Sequence, residues 1–174
     1  MSASHTNGMV CDAIVSRELT LDIQHINNCT KVTKPWGHEI WLQDGTSVHP
    51  YALKQLTLTA GKQTSLQVHQ FKSETVLILS GKGILEYWDG VFDCDTFLKG
   101  LFTDEYINQL KQNLTRVEIA AGSVFNTPPN VIHRMIAEED LVYVEASTTQ
   151  LDDVIRLEDS NNRPHGRIEA EHAR

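Results

Sequence analysis

The sequence predicts an all-β domain, a sandwich or barrel, with one short helix inserted between its two β-halves. Short strand-like apolar runs follow one another from residue 31 onward, and glycine or proline turns separate them. The run "ETVLILS" ends at Gly81-Lys82-Gly83, and "SVFNT" leads into Pro128-Pro129-Asn130. Many short strands punctuated in this way are typical of sandwiches and barrels.

The strand-like runs are, in order, "HEIWL", "YALKQLTLT", "ETVLILS", "ILEYW", "TRVEIA", "SVFNT", "VIHRMIA" and "LVYVEAS". One segment, "TDEYINQLKQNL", has a different period. It begins with Thr103 as a capping residue, carries acidic residues in its first turn and repeats apolar side chains at helical spacing. This segment is the one predicted helix.

The domain boundaries follow from these patterns. Residues 1–25 show no clear period and are expected to form an N-terminal arm. Residues 26–160 are expected to form a single domain, with an insert at 91–114, because a chain of 174 residues suffices for one core. The polar residues 161–174 are expected to form a mobile tail.

Composition excludes several classes of protein. The sequence has no apolar run long enough to span a membrane and no secretory signal at its start, so a cytoplasmic location is expected. Cys11, Cys29 and Cys94 have no C-x-x-C spacing and are interpreted as reduced thiols. A net charge of −8 argues against nucleic acid or an anionic membrane as a partner. Any phosphate site would therefore need a local basic cluster.

Four polar residues lie among apolar neighbours in the predicted strands: Gln67, His69, Glu74 and His133. A buried polar group without partners costs several kcal/mol, so such groups converge on one another or on a metal. One amide, two imidazoles and one carboxylate suit Zn, Mn, Fe, Co or Ni. The alternative is a metal-free core of hydrogen-bonded polar residues.

The spacing of these residues resembles that of the cupin family. Gly61-x5-Gln67-x-His69-x4-Glu74-x6-Gly81 is similar to the first cupin motif, although the family more often has histidine at Gln67. The stretch from Gly122 to His133 is similar to the second motif. The resemblance implies a cupin double-stranded β-helix, or jelly-roll barrel. It also implies a divalent metal on the four residues, with zinc as the first expectation.

A closer resemblance extends from about residue 31 to 163. "KPWGHEIWL", "SLQVH", "PPNVIHRM" and "DDVIRLED" are similar to the type II phosphomannose isomerase domain of bifunctional mannose-1-phosphate guanylyltransferases. It implies a metal-dependent sugar-phosphate isomerase, converting mannose 6-phosphate to fructose 6-phosphate or a related aldose–ketose pair. The segment 91–114 is longer than the family's usual link. A longer loop beside a barrel mouth can reshape the pocket.

Three further residues are candidates for catalysis. Lys54 is expected to point into the barrel and hold a substrate oxygen or phosphate, or else to lie on an edge strand and reach water. Glu145 is a candidate general base, or else it pairs with Lys54 or another cation. Glu86 has the same ambiguity and a weaker case. For Arg156 the resemblance suggests closure over the sugar phosphate, since arginine binds phosphate in a bidentate way.

Other roles stay structural in this interpretation. The alternative for Arg156 is a surface ion pair with Asp152, Asp153 or Glu158. Arg134 is expected to face away from the site. Lys34 and Trp36 are expected to build a turn at the barrel edge rather than touch substrate.

Two other functional classes remain open: a cupin dioxygenase or lyase acting on another small molecule, and a non-catalytic sugar-binding cupin. A fold alone does not decide among them. The expected partner is a small molecule, with no nucleic acid and no membrane. A homodimer is expected because exposed sheet edges need covering.

Overall fold

The computed structural model describes residue 21 and residues 23–46 and 48–172. Within these ranges the chain forms eleven strands, three α-helices and a 3-10 turn at Ile26–Asn28. The strands are β1 Thr30–Lys34, β2 Gly37–Asp44, β3 Ala52–Leu58, β4 Leu66–Val68, β5 Glu74–Ser80, β6 Lys82–Tyr87, β7 Thr115–Ala120, β8 Val124–Thr127, β9 His133–Ala137, β10 Leu141–Ser147 and β11 Ile155–Glu158. The helices are α1 Cys94–Leu98, α2 Asp104–Gln112 and α3 Glu169–His172.

The strands form two antiparallel sheets. One has six strands in the order β1-β2-β3-β10-β5-β8, and the other has five in the order β11-β4-β9-β6-β7. Neighbours in these orders are mostly far apart in sequence, as the crossing connections of a jelly roll require. The predicted all-β barrel is confirmed.

Strand β3 shows why the sequence folds in this way. Its residues alternate between buried and half-buried along the whole strand, so Ala52, Lys54, Leu56 and Leu58 all face the interior. Leu56 and Leu58 belong to the main apolar core between the sheets. The same alternation therefore places a lysine inside the barrel.

The turn at Gly81 joins β5 to β6 and requires glycine. Its φ is +82°, a conformation that L side chains rarely adopt. A Cβ there would lie 2.1 Å from the carbonyl oxygen of Asp140. This close approach lets β6 begin immediately beside the start of β10.

The insert at 91–114 contains two helices rather than the one predicted. Helix α2 lies where the sequence predicts it, and the Thr103 side chain caps it by accepting from the backbone N–H of Tyr106. Helix α1 was not predicted, since its five residues are too few to show a period. Asp93 caps α1. Both helices cover a second apolar cluster that includes Phe92.

The two ends of the chain differ. Most of the predicted N-terminal arm, residues 1–25, lies outside the described residues. The segment predicted as a mobile tail packs against the barrel instead, since α3 contacts β1 and Lys34 pairs with Glu171. Among the described residues, no helix has the length and apolarity needed to cross a bilayer. The expected homodimer stays a prediction.

Candidate metal centre and pocket

Three side chains predicted as metal ligands meet between the two sheets. The ligand atoms of His69, Glu74 and His133 all lie within 4.8 Å of one another, and all three residues are buried. The Nε2 of His69 is 3.3 Å from Glu74 Oε1, and the Nε2 of His133 is 3.5 Å from Glu74 Oε2. The structure thus joins residues that are up to 64 positions apart in the sequence (133 − 69).

The strands explain this convergence. Gln67 in β4 pairs directly with His133 at the start of β9, and His69 follows β4. Glu74 opens β5 in the opposite sheet. The carboxylate therefore approaches the two imidazoles from across the barrel.

Hydrogen bonds fix the tautomers of both histidines. The Nδ1 of His69 contacts the backbone carbonyl of Asp153, and that of His133 lies 3.0 Å from the backbone carbonyl of Val131. Because a carbonyl oxygen only accepts, each Nδ1 carries a proton when the ring is neutral. Each Nε2 then presents its lone pair to the centre, as metal-binding histidines do when the other ring nitrogen donates to a backbone carbonyl.

Gln67 lies beside this group in an orientation that bears on its predicted role. Its Oε1 accepts from the Ser65 hydroxyl at 2.7 Å, while its Nε2 lies 3.4 Å from His69 Nε2. An amide nitrogen cannot ligate a metal. Rotation of the amide by 180° brings Oε1 to the centre, and Ser65 then accepts instead of donating. The ligand role of Gln67 stays a prediction that requires this rotation.

The site also contains a buried cation that the sequence interpretation missed. Lys72 Nζ contacts Glu74 Oε1 and lies 2.9 Å from Glu145 Oε1. Burial alone would raise the pKa of Glu74, but the adjacent Lys72 charge holds it well below its ordinary value. Lys72 lies in the loop between β4 and β5, where no strand period could indicate its direction.

Asp153 shapes that loop. Its carboxylate accepts from the backbone N–H groups of Gln70 at 3.1 Å, Phe71 at 2.6 Å and Lys72 at 2.9 Å. The same residue's carbonyl contacts His69. Asp153 thus orients both a predicted ligand and the loop that carries the buried lysine.

Lys54 is buried inside the barrel, so the edge-strand alternative is wrong. Strand β3 lies between β2 and β10, and Lys54 is 6% exposed. Its Nζ lies 3.5 Å from Glu39 Oε2 and 4.3 Å from the ring centre of Trp41, its cross-strand neighbour. Trp41 Nε1 also donates to Glu39 at 2.7 Å. Burial would raise the pKa of Glu39, but the charges of Lys54 and Lys34 and the Trp41 hydrogen bond lower it.

Glu145 and Glu86 are separated by the structure. Glu145 faces the cavity and pairs with Lys72, not with Lys54. Glu86 lies outside that cavity's lining, and its oxygens are engaged by Arg116 and by Arg134 at 2.5 Å. Arg134 is structural, as expected, and Glu86 is not placed to act as a base.

Arg156 also lines the cavity. The carboxylate beside it is that of Asp159, whereas the alternatives considered from the sequence were Asp152, Asp153 and Glu158. Arg156 Nη1 donates to the carbonyls of Pro164 and Gly166, the latter at 2.9 Å, and its Nε lies 3.9 Å from Asp159. Burial, and then the like charge of Arg163, lower the pKa of Arg156. Two guanidinium groups therefore lie close together beside the cavity.

One inner cavity of about 100 Å³ lies between the sheets. The predicted ligands lie in its wall together with Lys54, Lys72 and Glu145. Lys34 and Trp36 line it too, so their predicted purely structural role is incomplete. The C-terminal segment contributes Arg163, Arg167 and Glu171. Six cationic side chains therefore line the cavity together with five carboxylates.

The donor set fits a divalent metal. Each imidazole Nε2 lies 3.3–3.5 Å from an oxygen of the Glu74 carboxylate. Lys72 pairs with that carboxylate, so the two imidazole lone pairs are what a metal ion would accept. These are ligands that Zn, Mn, Fe, Co and Ni accept, and thiolates are lacking among the lining residues. His69, Glu74 and His133 would hold the ion, with Gln67 as a fourth ligand after its amide rotates.

Comparison with protein-family models and with curated sequences found no match. Solved structures are similar to the chain. The capsular polysaccharide assembling protein CapF from Staphylococcus aureus aligns over 75% of this chain and 32% of its own, with 14% identity and a TM-score of 0.55. Oxalate decarboxylase from Bacillus subtilis, described with Mn(II) centres, aligns over 76% of this chain and 31% of its own, with 18% identity and a TM-score of 0.54.

A candidate sugar phosphate isomerase from Acidithiobacillus ferrooxidans aligns over 78% of this chain and 77% of its own, with 19% identity and a TM-score of 0.50. The chain spans about a third of the length of the CapF and decarboxylase chains. At these identities the likeness shows the fold alone. The fold of this chain is the cupin barrel.

Proposed function

We propose that this protein is a metal-dependent sugar-phosphate isomerase. It interconverts an aldose and a ketose phosphate, and mannose 6-phosphate with fructose 6-phosphate is the first pair to test. One observation carries the proposal: the cluster of His69, Glu74 and His133 shares a cavity with a buried carboxylate, Glu145, and with several cations. The motifs similar to the type II phosphomannose isomerase domain support this substrate class.

The reaction moves one proton between two carbons. Glu145 takes the proton from C2 of the aldose while O1 gains a proton, which gives the enediol, and the O2 proton leaves only in the second step. Glu145 then returns its proton to C1, which gives the ketose. Lys72 donates to the Glu145 carboxylate at 2.9 Å and so orients it. A divalent metal supplies, when bound, Lewis acidity at the sugar oxygens.

Other side chains in the cavity bind and orient. Lys54, held over Trp41 and beside Glu39, donates to a sugar oxygen. Tyr143 is fully buried, and burial together with the charges of Glu145, Glu39 and Glu74 raises its pKa well above the ordinary value. Its phenol therefore stays neutral and can donate a hydrogen bond. Arg156 holds the C-terminal segment over the cavity.

The test is turnover of mannose 6-phosphate by chelator-treated protein reloaded with Zn, Mn, Co or Ni. Turnover is expected to need the metal and both histidines, so His69→Ala and His133→Ala should abolish it. His49→Ala is the matched control, since this exposed histidine lies outside the cavity. Glu145→Gln should lower kcat by about 10²–10⁴-fold without changing metal content.

Two results would overturn the proposal. One is turnover that survives chelation or His133→Ala. The other is no turnover with any of the four metals, from protein that holds one metal per chain.

A second candidate function has a specific observation in its favour. With Gln67 oriented as in the structure, the metal set is two histidines and one carboxylate, the combination typical of non-haem Fe(II) oxygenases. Gln67→Leu separates the two candidates. A four-ligand site should lose metal affinity in this variant, whereas a three-ligand Fe(II) site should keep it and consume O₂ with its substrate.

A further inference from the structure

The carboxylate of Glu171 is bound by two cations at the edge of the cavity. Lys34 Nζ lies 2.8 Å from Glu171 Oε2, and Arg163 Nη1 lies 3.3 Å from Oε1. The side chains of Lys34, Arg163 and Glu171 are only 10%, 9% and 11% exposed. The Glu171 carboxylate in α3 thus lies between two largely buried donors, with Lys34 at one oxygen and Arg163 at the other.

The two cations are held in place by other acids. Arg163 Nη2 lies 2.6 Å from Asp159 Oδ2, and its Nε donates to the same oxygen at 2.9 Å, which leaves Nη1 for Glu171. Lys34 Nζ lies 3.6 Å from Glu39 Oε1. Both donors would therefore keep their positions if Glu171 withdrew.

Arg156 adds an unsatisfied donor nearby. Its Nε is buried and has no hydrogen-bond partner among the described residues, and its nearest carboxylate oxygen, on Asp159, is 3.9 Å away. An unsatisfied buried donor is costly, and it indicates a ligand or water at that place. Arg156 lines the same cavity as Lys34 and Arg163.

We propose that Lys34 and Arg163 form the phosphate-binding subsite of this pocket, and that Glu171 occupies it until the phosphate of the substrate displaces the carboxylate. This inference rests on the proposed function. A phosphate group has more negative charge than a carboxylate and one more acceptor oxygen, so it satisfies Lys34, Arg163 and the free donor of Arg156 better than Glu171 does. A dianion cannot bind beside Glu171, since the like charges repel.

The element that must move is small. Helix α3 has four residues, Glu169–His172, and a helix of that length has no stability of its own. Besides Glu171, it is held by the ring of His172, which meets Trp41 edge-on at 5.4 Å between ring centres. Trp41 also carries Lys54 on its face, so this indole reports on the withdrawal of α3.

The experiment is calorimetric titration of inorganic phosphate into metal-loaded protein. Glu171→Gln removes the competing charge and is expected to bind phosphate about tenfold more tightly than wild type. The matched control is Glu169→Gln, which removes the same charge from the same helix at a side chain 83% exposed, and should leave the affinity unchanged. Lys34→Gln should weaken phosphate binding at least tenfold.

The tryptophan emission of the wild-type protein supplies a second measurement. Phosphate, but not chloride at equal ionic strength, should change the tryptophan emission, and Trp41→Phe should remove that change. An unchanged or lower affinity in Glu171→Gln would overturn the subsite. If phosphate binds more tightly in Glu171→Gln but mannose 6-phosphate is not turned over, the subsite holds and the isomerase proposal fails. If mannose 6-phosphate is turned over but Glu171→Gln leaves phosphate affinity unchanged, the isomerase holds and the subsite fails.

Discussion

Lys72 Nζ lies 2.9 Å from Glu145 Oε1 in the buried centre of the barrel. The same ammonium contacts Glu74, so one cation pairs with two carboxylates that reach it from different strands. A buried ion group of this kind is costly to break, since removal of one partner leaves uncompensated charge. Lys72 therefore couples the predicted metal ligands to the proposed base.

Replacement of this cation tests the coupling. Lys72→Met keeps the length of the side chain and removes its charge, so metal-free protein should lose about 3 kcal/mol of unfolding free energy. A divalent metal should recover much of that loss, because it supplies positive charge to Glu74. Lys82→Met is the control: this lysine is 56% exposed in its pair with Glu139, and the change should stay within about 0.5 kcal/mol. Equal losses with and without metal would contradict the prediction.

Asp153→Ala tests the ordering of the loop between β4 and β5. The variant removes the acceptor of three backbone N–H groups but keeps the carbonyl that contacts His69. Metal affinity, measured by competition with a chelator, should fall about 10- to 100-fold. Asp89→Ala, at an exposed residue outside the cavity, should leave the affinity near the wild-type value. A wild-type affinity in Asp153→Ala would show that the loop needs no such support.

Glu39 gives a pH-dependent prediction. Its native pKa lies below the ordinary value of 4.5, because Lys54, Lys34 and Trp41 outweigh the effect of burial. The stability it contributes is therefore complete above about pH 4.5 and is lost as pH falls through the lower native pKa. Glu39→Gln should be about 2 kcal/mol less stable than wild type at pH 7.

The difference should shrink towards zero in acid, where the wild-type side chain is also neutral. Urea unfolding between pH 3 and pH 7 measures it, with the exposed Glu118→Gln as the control. If the difference in unfolding free energy between wild type and Glu39→Gln grew as pH fell, the assigned direction of the pKa shift would be contradicted.

Two glycines form a matched pair for the turns. Gly61 and Gly81 both have positive φ, +72° and +82°, but a Cβ at Gly61 meets nothing within 4 Å among the described atoms. Gly61→Ala should thus lower the free energy of unfolding only through backbone strain, by about 1 kcal/mol. Gly81→Ala adds the clash with Asp140 and should cost about 2 kcal/mol more. Thermal unfolding of the two variants measures both losses of stability. Equal losses would mean that the turn at Gly81 relaxes and relieves the clash with Asp140.

The barrel and much of its centre could be predicted because strands have a period of two. That period fixed which face Gln67, Glu74 and Lys54 share with apolar neighbours, and the structure places all three in the cavity wall. Lys72 could not be predicted in the same way, since a loop has no period and its direction is set by Asp153, far along the chain.

The C-terminal segment escaped prediction for another physical reason. It has no apolar pattern, and what holds it are ion pairs and carbonyl contacts to Lys34, Asp159 and Arg156. Polar composition alone cannot distinguish a solvated tail from a segment whose charges are all matched by partners elsewhere in the fold. The short helix α1 likewise shows no period in five residues.

The contact between His69 and Asp153 also determines when the centre can form during synthesis. The two residues are 84 positions apart, and chains emerge from the ribosome with their N-terminal part first. His69, Glu74 and His133 therefore all leave the exit tunnel before the residue that orients the first of them. A nascent chain that ends before Asp153 has the predicted ligands but no fixed His69 imidazole, so tight metal binding would wait until Asp153 has emerged.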